Sequence, residues 1–391
     1  MKFARLGDVA KMQVGYAFSS TGYVTDEIPI IRIGNLSEGL VELDYNICWP
    51  EEFLSNNREY EIKKGDILLA MSGTTAGKAA RYTHSRPALL NQRVCRLINN
   101  PALVDQDYLF YALNSEGFVK QVSTAAYGCA QPNISLSRLA AVPVPLPPVP
   151  VQKQIIEMLD TYTVLVCKRN EQINLCDKLI DSLFSEMFGN PGQNDKNWYR
   201  CGIGSECSVK GGKRLPEGTE YTLKADYPYL RAADLKDYSV CRDNIAYLPE
   251  NVREKLRNYT ISKEDVYLTT VGVNLGMPGT IPEDLDGANL TENAVKLVIK
   301  DKTRLNKVFL ARYLGSPYAQ ELINGRKMTA GVPKLAIFRI EQMELLLPPI
   351  SLQESFAIQT DKILEQKSIM SASLKKMKQN ITGILDDLYN R

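Results

Sequence analysis

The sequence predicts an α+β (α/β) protein made by tandem duplication, in which two pseudo-symmetric domains are separated by a pair of long antiparallel coiled-coil helices. Three observations support this fold class. Segments of the first half recur in the same order in the second half, both copies alternate strand-like and helix-like runs, and each copy ends in a Pro-Pro pair followed by apolar heptads. We expect the domains at 1–148 and 190–349, and the helices at 149–189 and 350–391.

The composition is that of an ordinary globular protein. The chain has 391 residues, 44% of them hydrophobic and 24% charged, and a formal net charge of +2. This charge excludes a histone-like polycation, but not a DNA-binding protein whose Lys and Arg are gathered on one face. No apolar run approaches the ~20 residues that span a bilayer, and the N-terminus, MKFARLGDVA, lacks the apolar stretch of a secretory signal. We therefore expect a cytoplasmic protein with no membrane partner.

The internal repeat has an offset of about 200 residues. IPIIRIGNL at 28–36 matches YPYLRAADL, and IKKGDILLAMSG at 62–73 matches ISKEDVYLTTVG, in both cases 199 residues further on. Towards the end of the copy, LPPVPVQKQ at 146–154 matches LPPISLQES 201 residues further on. Small insertions in loops on a shared framework explain this drift, whereas chance similarity would not keep the order.

Each copy has the same succession of secondary structure elements. Runs at 29–33, 67–71 and 94–98 are rich in Ile, Leu and Val, are bounded by Gly, Asn and Asp, and are typical of strands. The segment DQDYLFYALNS at 105–115 predicts a helix, as does its counterpart NKVFLARYLGS at 306–316. The prolines that close each copy fix φ and restrict the preceding residue, so they predict a stiff junction.

Two helices with the same spacing of apolar residues follow the proline pairs. The apolar residues recur at alternating steps of four and three, which is the signature of a coiled coil. Neither helix can bury such a stripe alone, so we expect the two to pair. Antiparallel pairing is favoured because parallel pairing would force the second domain to fold back. The expected seam consists of Ile155, Leu159, Tyr162, Val166, Ile173, Ile180, Leu183 and Met187 in the first helix and Phe356, Ile363, Met370, Leu374, Met377, Ile381, Ile384 and Leu388 in the second.

Three polar residues interrupt this seam: Arg169, Thr360 and Lys367. Polar side chains at core positions of a coiled coil fix its register at a cost in stability. They can also serve as contacts for a third partner. The sequence leaves both roles open.

No motif in the sequence supports catalysis, and we expect neither catalytic nor metal-binding residues. GTTAGK at 73–78 lacks the full pattern of a phosphate-binding loop, no G-x-G-x-x-G follows a strand, and the eight cysteines include no CxxC pair. His84 is the single histidine, which is too few for a histidine metal cluster. Glu61 and Lys63 have the spacing of a metal-dependent nuclease, but the second copy has Thr and Ser there, so a charged loop is the preferred interpretation.

What remains is a set of polar, glycine-interrupted loops at the strand ends. Arg can bond guanine, Asn and Gln can bond adenine, and Ser, Thr and Lys suit phosphates. The second copy keeps the layout but changes the residues, as two readers of two different short DNA sequences would require, although for any single residue a solvated loop is the alternative. The candidate DNA-binding residues are Arg32, Asn35, Ser72, Thr74, Thr75, Lys78, Asn91, Gln92, Arg93, Gln131 and Asn133 in the first copy and Arg231, Asp234, Asn274, Glu292, Asn293, Lys327 and Lys334 in the second.

Taken together, the chain resembles the specificity subunit of type I restriction-modification systems. The resemblance covers essentially the whole length. It rests on IPIIRIGNL, KKGDILLAMSGTTAGK and GCAQPNIS, and above all on LPPVPVQKQI and LPPISLQESF, which open the two helices. The second copy departs from the pattern in having Glu-Asp for Gly-Asp, and AGVPKLAI at the place of GCAQPNIS.

The resemblance implies a non-catalytic DNA-binding subunit whose two target recognition domains each read one half of a bipartite, asymmetric site in double-stranded DNA. The paired helices would set the spacing between the halves and dock two methyltransferase subunits, and restriction subunits with translocase activity would complete the enzyme. The chain itself would need no cofactor, since S-adenosylmethionine, ATP and magnesium would belong to the partners. A stand-alone metal-dependent nuclease and a coiled-coil adaptor without DNA binding are the alternatives.

Overall fold

A computed structural model describes residues 2–37, 39–73, 75–125, 133–222, 227–236, 238–328 and 331–390 of the chain. The chain divides into two compact units. Unit 1 comprises Met1–Gln172 and Met370–Arg391, and unit 2 comprises Ile173–Ile369. Each unit therefore contains one α/β module together with part of each long helix.

The module of unit 1 alternates short strands with short helices. Its strands are β1 (Phe3–Arg5), β2 (Ala10–Val14), β3 (Ile28–Ile31), β4 (Leu36–Ser37), β5 (Leu40–Val41), β6 (Cys48–Trp49), β7 (Glu61–Ile62), β8 (Ile67–Ala70), β9 (Ala79–Arg81), β10 (Ala88–Leu90), β11 (Val94–Asn99) and β12 (Pro143–Pro145). Its helices are α1 (Leu6–Val9), α2 (Glu52–Asn56), α3 (Gln106–Leu113), α4 (Glu116–Ala125) and α5 (Leu136–Ala141), and the long helix α6 (Val149–Phe188) follows.

Two larger sheets carry the module of unit 1. One has the order β2-β11-β8-β9-β5-β4 and the other the order β6-β3-β10-β7, while β1 pairs with β12. Within the second sheet β3 and β10 are parallel, with Leu90 beside Ile31, so both strands end at the same edge. All four residues of β3 and of β8 are buried, which explains why both strands are continuous apolar runs in the sequence.

The module of unit 2 repeats this succession. Its strands are β13 (Tyr199–Gly202), β14 (Cys207–Gly211), β15 (Pro228–Leu230), β16 (Leu235–Lys236), β17 (Ser239–Val240), β18 (Ala246–Tyr247), β19 (Thr260–Ile261), β20 (Val266–Thr269), β21 (Pro278–Thr280), β22 (Ala288–Leu290), β23 (Ala294–Ile299) and β24 (Glu344–Leu347). Its helices are α7 (Ile203–Glu206), α8 (Glu250–Lys255), α9 (Lys307–Gly315), α10 (Pro317–Arg326) and α11 (Ile337–Glu341), and the long helix α12 (Ile350–Asn390) follows.

The strand orders of unit 2 correspond to those of unit 1, except that β16 and β17 form a sheet of their own whereas β4 and β5 belong to the six-stranded sheet. They are β14-β23-β20-β21, β18-β15-β22-β19, β13-β24 and β16-β17. The parallel pair recurs between β15 and β22, where Leu230 lies beside Leu290. The duplication seen in the sequence is therefore also a duplication of the fold. It includes the parallel strand pair, which is β3 with β10 in unit 1 and β15 with β22 in unit 2.

The two long helices bury the residues that the heptad pattern selects. Every apolar seam residue predicted on α6 and α12 is buried or half-buried, and most residues between them are exposed. In unit 1, Leu159 of α6 and Leu385 and Leu388 of α12 belong to the same buried core as the module. None of the described helices combines the length and apolar character needed to cross a membrane.

Within unit 2 the two long helices run antiparallel. The Phe188 ring lies 5.3 Å from that of Phe356, and Lys367 Nζ lies 2.6 Å from Asp177 Oδ1. The residue numbers of one helix thus fall as those of the other rise. The antiparallel pairing expected from the connectivity is confirmed in this unit.

The polar seam residues differ in what they contact. Lys367 forms the ion pair with Asp177, which supports a role in fixing the register. Thr360 is fully buried within the chain, so its side chain is not available to a third partner. Arg169 is half-buried, and both roles remain open for it.

A buried glutamine joins α6 to the module of unit 1. The Gln152 side chain is fully buried, and its Oε1 accepts a hydrogen bond of 2.8 Å from the backbone N–H of Asp105. Its Nε2 donates to the carbonyl oxygens of Leu103 at 3.0 Å and Pro147 at 2.8 Å. One side chain therefore ties the start of α3, the turn before it and the proline junction to the first turn of α6.

The same three bonds recur around Gln353 at the start of α12. Its Oε1 accepts from the N–H of Asn306 at 2.9 Å, and its Nε2 donates to the carbonyl oxygens of Arg304 at 3.0 Å and Pro348 at 2.8 Å. All four residues are shifted by 201 from their counterparts in unit 1. Each helix therefore leaves its module through an identical junction.

We expect Gln152→Leu to lower the free energy of unfolding by about 2–4 kcal/mol, because one N–H and two carbonyl groups lose their partner in buried or part-buried hydrogen bonds. Urea unfolding followed by circular dichroism measures this change. The control is Gln154→Leu, since Gln154 lies two residues further along the same helix and is exposed. Equal effects of the two substitutions would show that the junction does not depend on the buried amide.

Candidate nucleic-acid interface

Two of the predicted loops in each unit start at the ends of the parallel strands. In unit 1 the N–H of Asn91 donates to the carbonyl oxygen of Ile31 at 3.3 Å, so the loops that follow β3 and β10 leave the sheet side by side. In unit 2 the N–H of Thr291 donates to the carbonyl oxygen of Leu230 at 3.1 Å. The carboxyl ends of parallel strands thus bring the loop after Ile31 next to the loop after Leu90, and the same holds in the second copy.

Backbone hydrogen bonds add two further loops to this edge in unit 1. The N–H of Met71 donates to the carbonyl oxygen of Arg93 at 3.0 Å. The N–H of Ile134 donates to the carbonyl oxygen of Met71 at 2.9 Å. Ser72 and Asn133 form an antiparallel bridge. We call the combined surface loop platform 1, which consists of 32–35, 72–73, 75–78, 91–93 and Asn133.

Unit 2 has an equivalent surface. The N–H of Thr270 donates to the carbonyl oxygen of Asn293 at 2.8 Å, and the N–H of Leu335 donates to that of Thr270 at 2.9 Å. Val271 and Lys334 form the antiparallel bridge. We call this surface loop platform 2, which consists of 231–234, 271–275, 291–293, 327–328 and 331–334.

Two pairs of glycines shape both platforms. Gly77 and Gly276 have φ values of +87° and +92°, which only glycine adopts readily, and they close the loops after β8 and β20. A Cβ on Gly15 would lie 1.8 Å from the Leu90 carbonyl oxygen, and one on Gly212 would lie 2.0 Å from that of Thr291. The backbone therefore passes too close to the platform for any side chain at these two positions.

The predicted residues of the two platforms differ in exposure. Those exposed are Lys78, Gln92, Arg93, Asn133, Asn274 and Lys334. Those half-buried are Arg32, Thr75, Arg231, Glu292, Asn293 and Lys327, and those buried are Asn35, Ser72, Asn91 and Asp234. Thr74 and Gln131 lie outside the described residues. Sequence pattern alone could not separate these groups, because all of them are polar residues in loops.

Asn35 and Asp234 hold their own loops in shape. The Asn35 Oδ1 accepts a hydrogen bond of 2.9 Å from the N–H of Arg32, and its Nδ2 donates to the Glu42 carbonyl oxygen at 2.9 Å. The Asp234 carboxylate accepts from the N–H of Arg231 at 2.9 Å in the same way. Both side chains are directed inward and already hydrogen-bonded, so we leave them out of the DNA contacts proposed below.

Arg231 is held by the same aspartate. Its Nε and Nη2 donate to the two oxygens of Asp234 at 2.9 and 2.8 Å. These hydrogen bonds raise the pKa of Arg231. In unit 1 the matching contact is looser, because Arg32 Nη2 reaches Asp44 at 3.5 Å and both side chains are partly exposed. The Arg32 guanidinium is therefore the freer of the two for a ligand.

Arg214 is an exposed platform neighbour that sequence reasoning did not select. Its Nε donates to Glu292 at 2.9 Å, and 80% of its side chain is accessible. Burial is the largest single influence on Glu292 and opposes its ionisation, but the hydrogen bonds from Arg214, from its own backbone and from Thr291, with the charge of Arg214, together lower the pKa of that carboxyl. The basic pair Lys213-Arg214, directly after the close-approach glycine, was the signal that could have identified it.

The residues weighed for catalysis have local structural partners. His84 Nε2 lies 2.8 Å from the carbonyl oxygen of Val41, and Glu61 forms an ion pair with Lys63 at 3.3 Å. Burial raises the pKa of the Cys95 thiol to about 12, so it is not poised as a nucleophile. Among the described residues, no group of three or more His, Cys, Asp or Glu side chains could hold a metal ion.

Residues 1–175 match the family model of the type I restriction modification DNA specificity domain. The chain is 30% identical over 186 residues to the specificity subunit of the type I restriction enzyme MjaVIII of Methanocaldococcus jannaschii, and 22% identical over 417 residues to that of EcoBI of Escherichia coli. The resemblance to type I specificity subunits is confirmed. Both relatives are specificity subunits, the class of protein that the sequence analysis named.

The specificity-subunit matches differ in extent. The one to the MjaVIII subunit covers 46% of this chain and 44% of that subunit, so the chain spans less than half of that relative. The one to the EcoBI subunit covers 98% of this chain and 82% of that subunit.

Two solved structures share the specificity-subunit fold over almost the whole chain. The S subunit of a type I restriction-modification system from M. genitalium has a TM-score of 0.57 at 16% identity, covering 99% of this chain and 95% of that one. A chain from a study of complex assembly and conformational transition in the type I R-M system has a TM-score of 0.60 at 17% identity, covering 99% and 97%. The predicted fold class is therefore confirmed.

We expect Asn35→Ala to lower the free energy of unfolding by about 1–2 kcal/mol, because the Arg32 N–H and the Glu42 carbonyl lose their common partner. Arg93→Ala, at an exposed site of the same platform, should change it by less than about 0.5 kcal/mol. Thermal unfolding of the two variants makes the comparison. An unchanged melting temperature for Asn35→Ala would contradict the structural role.

Proposed function

We propose that this chain is the DNA-binding specificity subunit of a type I restriction-modification enzyme, and that its two loop platforms read the two halves of a bipartite, asymmetric site in double-stranded DNA. The observation that carries the proposal is the repeated platform: one backbone frame, held by equivalent hydrogen bonds and glycines, displays different side chains in the two copies. Such a frame suits two readers of unlike sequences better than it suits a purely structural adaptor.

The exposed groups of both platforms have the chemistry that DNA recognition needs. Platform 1 displays the cations of Lys78 and Arg93 beside the amides of Gln92 and Asn133. Cations supply the contacts to phosphate, and amides can form paired hydrogen bonds with adenine. Platform 1 therefore combines groups for affinity with groups for base selection.

Platform 2 has a different set of the same kinds of group. Lys334 and Asn274 are exposed, and Glu292 is half-buried where the first copy has the exposed Gln92. A carboxylate accepts hydrogen bonds, as from the amino group of cytosine, whereas an amide can both donate and accept. Unlike half-sites follow from this difference, and the heptad helices between the modules would set the unread gap.

We further propose that the long helices dock two methyltransferase subunits, and that restriction subunits complete the enzyme. Support comes from apolar side chains that lie outside the seam and are exposed. In unit 1 these include Val151, Met158 and Leu165 of α6, which are spaced by seven residues and so share one face of the helix. An exposed apolar stripe of this kind suits a helix of a partner protein.

The second copy lacks this stripe at the corresponding positions. Gln359 and Gln366 stand where the first helix has Met158 and Leu165, while α12 exposes Ile358, Leu364 and Ile369 in unit 2 instead. The two docking surfaces would therefore differ in detail, although both are apolar. Chemistry would come from the partners, with S-adenosylmethionine, ATP and magnesium, in the cytoplasm where the DNA lies.

We expect the full chain, assembled with its methyltransferase subunits, to bind a selected DNA duplex with an affinity that falls steeply with salt. Lys78→Ala should weaken binding to specific and random duplexes alike and reduce the slope of log K against log salt by about one, because one phosphate contact is lost. Fluorescence anisotropy across a salt series measures both quantities. Lys120→Ala, an exposed lysine of α4 outside the platform, is the control.

A salt slope that Lys78→Ala and Lys120→Ala change equally would contradict the assignment of platform 1. Failure of the assembled protein to prefer any duplex from a random pool would contradict DNA reading as such. The chain would then be left with the role of a coiled-coil adaptor.

We expect the double substitution Met158→Glu, Leu165→Glu to prevent assembly with a methyltransferase subunit while leaving the chain folded, since both residues are exposed before docking. Size-exclusion chromatography with light scattering gives the stoichiometry. The control is Thr163→Glu, Asn170→Glu, which places the same charges on another exposed face of the same helix. An unchanged stoichiometry for the first variant would contradict docking at this stripe.

A further inference from the structure

Platform 2 carries two highly exposed valines on adjoining loops. Val273 is 103% accessible, which is the exposure of a residue with no neighbours, and Val332 is 65% accessible. A single exposed valine on a protein surface is unremarkable. Two on adjoining loops of one surface indicate a contact with a ligand, because burying aliphatic side chains is favourable.

The two valines lie on loops that are bonded to each other. Val271 and Lys334 form an antiparallel bridge, and the N–H of Gly272 donates to the Pro333 carbonyl oxygen at 3.2 Å. Val273 directly follows Gly272, and Val332 directly precedes Pro333, so each valine lies next to this bonded pair. We call the two valines the tip of the two loops.

The loop that carries Val273 is closed on both sides. The N–H of Leu275 donates to the Gly272 carbonyl oxygen at 3.2 Å, and the N–H of Gly276 donates to that of Thr269 at 2.8 Å. The Thr269 hydroxyl also donates to the Asn274 carbonyl oxygen. The backbone on either side of Val273 is thus held by hydrogen bonds, so little conformational entropy is lost when the valine binds a ligand.

The surroundings of Val273 are those of a DNA contact. Asn274 and Lys334 flank the tip and are exposed, and Asn293 lies in the adjoining loop of the same platform. In the major groove one base edge is apolar, the C5-methyl group of thymine, and aliphatic side chains are its usual contact. Resting on the function proposed above, we propose that Val273, together with Val332 on the adjoining loop, reads the methyl group of a thymine in the half-site of platform 2.

The repeat indicates that this contact belongs to one half-site. The sequence has Thr74 at the position equivalent to Val273, 199 residues earlier, and Gln131 at that equivalent to Val332, 201 residues earlier. Both replacements are polar. Platform 1 therefore has no matching apolar pair in its sequence, and the asymmetry of the DNA site includes a methyl-dependent position on one side.

Deoxyuridine tests this contact, because it pairs as thymidine does but lacks the methyl group. The preferred duplex is first selected from a random pool with the full chain assembled with its methyltransferase subunits. Each thymidine on either strand is then replaced singly by deoxyuridine, and Kd is measured for the wild type and for Val273→Ser. The serine variant should fold normally, because the valine side chain touches nothing in the chain.

We expect one position at which deoxyuridine raises Kd about fourfold for the wild type and does not raise it for Val273→Ser. About fourfold is the effect of losing one buried methyl-sized group. Leu103→Ser, at a partly exposed apolar residue of unit 1, should keep the full deoxyuridine effect.

Two results would overturn the inference, and they are distinguishable. In the first, the wild type prefers a duplex, but at every position deoxyuridine changes Kd equally for the wild type and for Val273→Ser. This result would refute methyl reading and leave the proposed function standing. The absence of any duplex preference in the wild type would refute the proposed function and the inference together.

Discussion

The rest of the structure depends on the buried amide of one glutamine at the start of each long helix. Gln152 and Gln353 each bond one carbonyl group of the proline junction and, in the module, one carbonyl group and one backbone N–H at the start of a helix. Proline cannot donate a hydrogen bond, so a helix that begins at a Pro-Pro pair needs another group to fix its direction. A fully buried amide with three bonds supplies that group, and it ties each module to the first turn of its helix.

Beyond these junctions, the two copies keep what shapes the backbone and change what faces solvent. Gly77 and Gly276 keep the left-handed conformation, and Gly15 and Gly212 keep a close approach of two chains. The exposed positions between them differ in charge and in polarity. A fold that is rigid beneath its loops can accept such changes at little cost in stability, since exposed substitutions seldom alter the free energy of unfolding by much.

The sequence predicted the framework well and the platform only in outline. Strand-like runs at 29–33 and 67–71 became Ile28–Ile31 and Ile67–Ala70, and the helix expected at 105–115 became Gln106–Leu113. Periodicity and the repeat determine such elements, because burial imposes the pattern directly. The heptad positions are likewise buried or half-buried in both long helices, although Phe184, Phe188 and Leu385 are buried outside the predicted seam.

Individual roles in the platform depend on contacts that no pattern records. Asn35 was expected to face a ligand, yet its amide closes the turn around Arg32, because a polar side chain in a tight loop can bond the backbone beside it. Val273 was overlooked for the opposite reason, since a single aliphatic residue in a loop has the appearance of scaffold. Asp177 was overlooked because it lies between the seam residues Ile173 and Ile180 and is not itself a seam residue.

The ion pair of Asp177 with Lys367 has a consequence for how halves of this chain could associate. The repeat relates Lys367 to Val166 and Asp177 to Lys378, so the pair has no counterpart under the 201-residue shift. Two copies of the first half, paired antiparallel, would set Asp177 against valine, and two copies of the second would set Lys367 against lysine. Charge therefore favours pairing of the two unlike halves within one chain over either self-paired half, and under the proposed function this asymmetry would favour a DNA site that is not a palindrome.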